Sequence, residues 1–198
     1  MDSDLAESVS ALKDIFKRRN LPANFGKADP AVVESLRKAL KIPARYRSFL
    51  LAADPLELET VTPVERVRLV PSEKLAAEQI GHSVGADGVP APPAWRKSWI
   101  VVARSALLGD PYFLDISKLD AEGDCPVFSA MTGTESLKPE LCASSLQQFL
   151  RILATSMEVA TGFGEGTVDP DDEAIFREAL APKIKTIDSA ALRAGHWT

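Results

Sequence analysis

The feature that most constrains this chain is a pair of apolar stretches joined by a short turn. SWIVVAR occupies residues 98–104, and PYFLDI occupies 111–116. The connection SALLGD ends in Gly-Asp, a pair typical of tight turns because glycine tolerates positive φ. Such a short connection joins antiparallel neighbours, since parallel strands need a crossover of about a dozen residues or more. The sequence therefore predicts an antiparallel hairpin, with a third strand at 126–128 after the acidic turn KLDAEGD.

Two further strands are predicted from alternating apolar and charged residues. LELETV (56–61) and VERVRLV (64–70) place every second side chain on the same face, as expected for strands with one wet face. Their charged residues are expected to pair across the strands; they are Glu57, Glu59, Arg66 and Arg68. Ser72 is predicted to cap a short helix that runs to Ile80 and stops at Gly81.

Apolar residues at spacings of three and four predict helices on both sides of these strands. The first stripe runs over 5–16, a second helix begins at Pro30 with Asp29 as its cap, and a third covers ARYRSFLLAA. The strongest pattern falls at 144–157, where Ser144 and Gln147 fit a capping box. A closing helix over 169–180 is predicted to turn three residues inward: Ile175, Phe176 and Leu180.

The remaining stretches are predicted to be loops: 82–93, 131–143 and the linker GFGEGTVDP at 162–170. The order of helices, antiparallel strands and a closing helix predicts an α+β fold. We expect an antiparallel or mixed central sheet covered by helices. We divide the chain into a domain at 1–161, which includes the N-terminal helix, and a C-terminal helical extension at 162–198.

Charge and composition limit which kinds of partner are expected for this chain. Lys and Arg number 23 against 28 Asp and Glu, which gives a formal net charge of −5. An acidic chain repels phosphate backbones, so a basic protein is a better expected partner than nucleic acid. The sequence shows no apolar run of membrane-spanning length and no signal-peptide core, so no membrane partner is expected. The two cysteines, Cys125 and Cys142, are expected to be reduced thiols in a cytoplasmic protein.

Several segments, taken in order, resemble the SMI1/KNR4 family of the SUKH superfamily. KIPARYRSFL resembles that family's LPxxYxxFL helix, and ERVRLVPSEKLAAEQ resembles the strand and short helix that follow it. The resemblance covers roughly residues 31–153. It continues through a tryptophan-bearing loop with Trp95 and Trp99, SWIVVA, the hairpin segment GDPYFLD (109–115), the short strand CPVF (125–128) and the helix SSLQQFL (144–150).

The resemblance implies a single α+β domain without enzymatic activity, whose role is to bind another protein. Many bacterial members look like immunity proteins that bind and neutralise a cognate toxin, and fungal members resemble signalling adaptors. We therefore expect an immunity-type protein whose partner is a toxin domain, with a basic one favoured by charge. A regulatory or scaffolding adaptor is the alternative, and a homodimer is compatible with both. The partner-binding candidates lie around the hairpin: Trp95, Asp110, Tyr112 and Asp115.

An enzymatic interpretation depends on the two carboxylates of GDPYFLD. Asp110 and Asp115 are five residues apart, so an extended strand points them to opposite faces and they cannot act on one substrate together. Asp110 is instead expected to bind backbone N–H groups nearby, and Asp115 those of the following turn, ISK. A hydrolase that uses Asp110, Asp115 or Cys125 is the third hypothesis.

No catalytic, cofactor-binding or metal-binding residue is predicted, since His82 and His196 lack the spacing of metal ligands. Trp95 has two interpretations. It covers the rim of the sheet with its indole N–H paired, or it is an aromatic anchor for a partner.

Overall fold

A computed structural model describes residues 2–85, 92, 94–132, 137–163 and 170–198. These residues form an α+β fold with a five-stranded antiparallel sheet and a two-stranded sheet, covered by α-helices. The predicted fold class is thereby confirmed. Parts of the predicted loops at 82–93 and 131–143, and most of the predicted linker at 162–170, lie outside the described residues.

The predicted hairpin is the centre of the larger sheet. It consists of β4 (Trp99–Ser105) and β5 (Pro111–Asp115), with Trp99 opposite Asp115. The other strands are β1 (Asn24–Gly26), β2 (Asp54–Glu57), β3 (Val67–Leu69), β6 (Val127–Ser129) and β7 (Glu140–Ala143). The larger sheet has the order β3-β4-β5-β6-β7, and β1 pairs with β2. Each of these pairs is antiparallel.

The α-helices in the described residues are α1 (Ser3–Arg18), α2 (Pro30–Leu40), α3 (Ala44–Ala53), α4 (Leu146–Val159), α5 (Pro170–Ile187) and α6 (Ser189–Ala194). Five of them follow the predicted stripes, although α5 continues past the predicted end at 180, and α6 was not predicted. Aspartates cap three of the helices: Asp2 accepts from the Leu5 N–H, Asp29 from the Ala31 N–H, and Asp188 from the Ala190 and Ala191 N–H groups. Each satisfies donors that the first helical turn leaves free. Among the residues that the structure describes, each helix is too short or too polar to cross a bilayer.

The main core lies between the helices and one face of the larger sheet. Leu12 of α1, Phe49 of α3 and Phe149 of α4 meet Tyr112 and Leu114 of β5 there. The described part of 162–198 belongs to the same core, through Phe176, Leu180, Ile184, Ala191 and Trp197. A smaller cluster lies on the other face of the sheet, where Trp99 and Val101 of β4 and Phe113 of β5 pack with Trp95 and Ala130 from the adjoining loops.

A buried glutamine completes β4 where β3 is too short to reach. Residues 103–105 of β4 pair with β3, but Val101 lies beyond it, next to an irregularity in the pairing with β5. There the Gln79 amide accepts from the Val101 N–H at 3.0 Å and donates to the Val101 carbonyl at 3.0 Å. One side chain thus satisfies both backbone groups of a buried residue, which would otherwise cost stability.

Several local predictions were wrong. Residues 140–143, predicted as loop, form β7, and the segment predicted as a helix from Ser72 to Ile80 contains two separate 3₁₀ turns, Ser72–Lys74 and Ala77–Gln79. The cap of α4 is Ser145, whose hydroxyl accepts from the Gln148 N–H, and not Ser144. In α5, Phe176 and Leu180 are buried as predicted, but Ile175 is 55% exposed.

Candidate functional site

The turn between β4 and β5 presents two exposed leucines. Leu107 is 58% exposed and Leu108 is 72% exposed. The turn itself is closed by backbone bonds, Ser105 N–H to the Asp110 carbonyl at 2.8 Å and Gly109 N–H to the Ser105 carbonyl at 2.9 Å. Gly109 has φ +79°, which the sequence predicted from its turn pair. We call Leu107 and Leu108 the leucine tip.

Asp110 fixes this turn to a distant segment. Its Oδ1 accepts from the Thr132 N–H at 2.8 Å and from the Thr132 hydroxyl at 2.9 Å. The expected partners, backbone groups close by in sequence, are thus replaced by a residue 22 positions away. The carboxylate has a structural role here, because it joins the hairpin turn to the chain that follows β6.

Tyr112 lies in a buried polar network under the turn. Its hydroxyl donates to Glu65 Oε2 at 3.3 Å and lies 3.2 Å from His196 Nε2. Because the hydroxyl gives its one proton to Glu65, it accepts from His196, which assigns the proton of the neutral imidazole to Nε2. The Ser105 hydroxyl also donates to Glu65, at 3.0 Å. The network connects β4, β5 and the C-terminal segment.

Burial shifts the pKa values of the two titratable groups in this network, Glu65 and His196. Burial raises the pKa of Glu65, although hydrogen bonds from Ser105, Arg66 and Tyr112 oppose the shift. Burial, with the nearby Arg177 guanidinium, lowers the pKa of His196 to about 4. Because that value lies well below 7, His196 is neutral at physiological pH. Its Nδ1 lies 3.8 Å from Glu140, so protonation would create an ion pair there.

Asp115 occupies the opposite end of β5 and holds the next turn. Its Oδ1 accepts from the Ser117 N–H at 3.2 Å and the Ser117 hydroxyl at 2.6 Å, as the sequence predicted. Burial raises the pKa of this carboxyl, but the two bonds from Ser117, with Trp99 and Ser98, outweigh it and leave the pKa below its usual value. Four steps of about 3.4 Å along β5 place Asp115 roughly 14 Å from Pro111, which follows the turn that carries the leucine tip.

The chain after Asp115 forms a surface with excess negative charge. Arg45 lies 3.2 Å from Asp2 and 3.6 Å from the buried Asp124, and it also contacts Glu122. One guanidinium therefore faces three carboxylates. Asp120 adds a fourth nearby, since its Oδ1 accepts from the Glu122 and Asp124 N–H groups. We call the exposed members of this group, Asp2, Asp120 and Glu122, together with the 51% exposed Leu119, the acidic end.

Asp124 gives the acidic end a rigid base. It is buried, and its carboxylate accepts from the Leu146 N–H at 2.9 Å and the Gln147 N–H at 3.3 Å, at the beginning of α4. A carboxylate at this position interacts favourably with the helix dipole. Burial nevertheless raises its pKa, against these bonds and the charge of Arg45. The acidic end is thus fixed to both α1, through Asp2, and α4.

Trp95 packs against aromatic rings on the face of the larger sheet that is opposite the main core. Its indole N–H donates to the Trp99 carbonyl at 3.2 Å, as the first interpretation expected. Its ring lies 4.9 Å from that of Phe113 and 4.5 Å from that of His82. Trp95, Tyr112 and Asp115 are buried, and Asp110 is half-buried. A partner-binding role for these four residues stays a prediction.

A groove of about 820 Å³ runs along β3 and reaches the base of the leucine tip at Ser105, Ala106 and Gly109. Its apolar lining comes from residues such as Leu21, Leu56, Val61 and Pro71, and its charged lining consists of Glu57, Glu59, Glu78, Arg66, Arg68, Lys74 and Arg104. The predicted cross-strand pairing is present for Glu59, which lies 2.9 Å from Arg68 and 4.0 Å from Arg66. We call this feature the β3 groove.

The candidates for a hydrolytic centre have other roles or are inaccessible. Cys125 is buried, and burial raises the pKa of its thiol, with a further contribution from the Asp124 charge. The Cys142 thiol, also free, has a pKa raised in the same way by burial. In the described parts of the chain, no three His, Cys, Asp or Glu side chains are grouped as a metal site requires. Among the carboxylates of the acidic end, Arg45 contacts Asp2 and Glu122, and it also contacts the buried Asp124.

Arg45, Glu65 and His196 organise the two ends of the hairpin and were not predicted from the sequence. Each acts on residues that are distant in sequence, so local patterns gave no signal for them. No protein-family model matches this chain, and a search of curated proteins finds no match either.

Proposed function

We propose that this chain is a non-enzymatic protein-binding domain, an immunity-type protein that binds and neutralises a cognate basic toxin in the cytoplasm. The proposal rests on the resemblance to the SMI1/KNR4 family and on one structural observation, the acidic end. Glu122 and Asp2 share a single guanidinium with Asp124, so the surface keeps a surplus of negative charge. Such a surplus speeds the encounter with a basic partner and selects against acidic ones.

Leu119 supplies the apolar contact that such an interface needs. It is 51% exposed and directly precedes Asp120. Burying a leucine that was exposed contributes about 1.5–3 kcal/mol, whereas surface charges contribute mainly to rate and selectivity. Asp115 stabilises the same surface indirectly, because it caps the turn Ile116–Lys118 that leads into Leu119. In this proposal Asp115 positions the interface without touching the partner.

The test is a binding measurement with candidate toxin domains taken from the genes that flank the gene of this chain. Glu122→Lys is expected to slow association and weaken the affinity at least about tenfold at low salt, and less at high salt. Leu119→Ser is expected to accelerate dissociation instead. Glu178→Lys and Ile175→Ser, matched exposed positions on α5, serve as controls. The proposal is overturned if the wild-type chain binds none of these domains, or if the test and control variants bind alike.

A regulatory or scaffolding adaptor is the second candidate, and it would use the same surface for a partner that is not a toxin. The hydrolase hypothesis is less well supported, because Asp110 and Asp115 bind Thr132 and Ser117 and lie at opposite ends of β5. Turnover by the purified chain that Asp110→Asn abolishes would favour that hypothesis over binding.

A further inference from the structure

The leucine tip is a rigid apolar projection. Besides the backbone bonds that close the turn, the Leu108 N–H donates to the Ser105 hydroxyl at 3.0 Å, and the Ala106 N–H donates to the Arg66 carbonyl at 2.7 Å. Asp110 holds the turn from the other side through Thr132. Since the turn is already ordered, burying its two leucines against a partner would cost little conformational entropy.

The β3 groove begins at the base of this projection, so a protrusion and a depression lie side by side on one surface. That juxtaposition is what a two-fold interface requires, because the same patch must contribute the knob and the hole. Leu56 and Pro71 give the groove an apolar lining, and its volume of about 820 Å³ leaves ample room for two leucine side chains.

The charges along the β3 groove nearly cancel, so they favour a second copy of this chain as the occupant over a strongly acidic or a strongly basic partner. Four cations and three carboxylates line it, a sum of +1, in a chain whose net charge is −5. Glu59 and Glu78 form ion pairs within the groove, with Arg68 and Arg104 respectively. Among the described residues, neither Glu57 nor Lys74 has an intramolecular ion pair. Each is therefore available to face the other across a two-fold axis.

We propose that the chain forms a symmetric dimer in which the leucine tip of each copy inserts into the β3 groove of the other. The acidic end follows the opposite end of β5 and is not part of this contact. The dimer therefore does not depend on the proposed toxin binding.

Sedimentation velocity over a range of protein concentrations tests the proposal. The wild-type chain is expected to dimerise, and Leu108→Asp is expected to raise the dimer dissociation constant at least about a hundredfold, since each copy loses one buried leucine. Ile175→Asp, which places the same charge at an exposed apolar position on α5, is expected to leave the constant unchanged. The proposal is overturned if the wild type is monomeric at about 0.5 mM, or if Leu108→Asp dimerises like the wild type.

Cross-linking tests the arrangement of the two copies. A Leu108→Cys copy mixed with a Leu56→Cys copy is expected to form an intermolecular disulfide when diamide is added as the oxidant. The two native thiols are buried and do not compete. Pairing Leu108→Cys with Ile175→Cys is the control and is expected to give no cross-link above background. Equal cross-linking in both mixtures would show that the tip does not enter the groove.

Discussion

The indole N–H of Trp197 donates a 2.8 Å hydrogen bond to the backbone carbonyl of Cys142 in β7. β7 is the last strand of the larger sheet, so this bond places the penultimate residue of the chain against the sheet's terminal strand. The Trp197 ring also lies 6.4 Å from that of Phe149 and 4.7 Å from that of His196. The C-terminal residues are thus part of the packed structure.

Substitutions of Trp197 should separate the contribution of packing from that of the hydrogen bond. Trp197→Ala is expected to lower the free energy of unfolding by about 3–5 kcal/mol, because it removes a buried aromatic side chain. Trp197→Phe keeps an aromatic ring but leaves the Cys142 carbonyl without this donor, and should cost about 1–2 kcal/mol. Equilibrium urea unfolding measures both values. Thr198→Ala, at the exposed neighbouring position, is the control, and a Trp197→Phe variant as stable as wild type would contradict the bond's contribution.

The stability of the protein should decrease in mild acid because of His196. Its pKa is about 4 in the folded state and about 6.5 when exposed, so the unfolded chain takes up the proton first. The contribution of the neutral imidazole is complete above pH 6.5 and is lost as the pH falls towards 4. The loss is on the order of 3 kcal/mol. The groups around the imidazole are Tyr112, Glu140 and Arg177.

The comparison with His196→Gln isolates this effect. Glu65 and Asp124 have raised pKa values, which favour the folded state as the pH falls and act in the opposite direction. Both are present in the variant, so the difference between the two unfolding curves between pH 4.5 and 7 reports His196 alone. Parallel curves would show that the imidazole is not held neutral by the fold.

Gly109 and Gly162 should respond to alanine in opposite ways. A Cβ at either position would meet no atom within 4 Å, so crowding plays no part. Gly109 has φ +79°, and Gly109→Ala is expected to cost about 1–2 kcal/mol of stability from backbone strain alone. Gly162 does not have positive φ, and Gly162→Ala should stabilise by about 0.4–1 kcal/mol by restricting the unfolded chain. Thermal unfolding measured for both variants checks the two signs.

The two thiols should be unreactive in the native protein. Cys125 and Cys142 are buried with raised pKa values, so neither is a thiolate near neutral pH. An aromatic disulfide reagent is expected to modify neither thiol within minutes in native buffer and both in denaturant. Rapid modification of native Cys125 would contradict this and would return that residue to consideration as a nucleophile.

Most elements with clear periodicity were predictable from the sequence. The alternating segment 56–61 is an exception, since β2 is Asp54–Glu57 and only an isolated bridge joins Glu59 to Arg68. The β4–β5 hairpin and the α1 stripe follow from local patterns. β7 has no alternation, because its first two residues are the more exposed and its last two are buried, so it was taken for loop. Ser144 and Ser145 each have a glutamine three residues later, and the sequence alone does not decide between them.

The organisation of the candidate site was not predictable, because its contacts are distant in sequence. Tyr112 is 47 residues from Glu65 and 84 from His196, and Arg45 is 77 from Glu122. In α5, Ile175 and Phe176 are adjacent and point about 100° apart, so only tertiary packing decides which of the two is buried. The predicted roles of Asp115 and Gly109 were correct, since each depends on residues within its own turn.

Because the side-chain amide of Gln79 completes β4, the larger sheet depends on that amide remaining chemically intact. Hydrolysis of that side chain to a carboxylate would leave an acceptor where the Val101 carbonyl needs a donor, and would place a charge in a buried site. The Val101 carbonyl would then lose its donor in a buried part of β4, at the point that β3 does not reach. Deamidation at this one position would therefore destabilise the larger sheet.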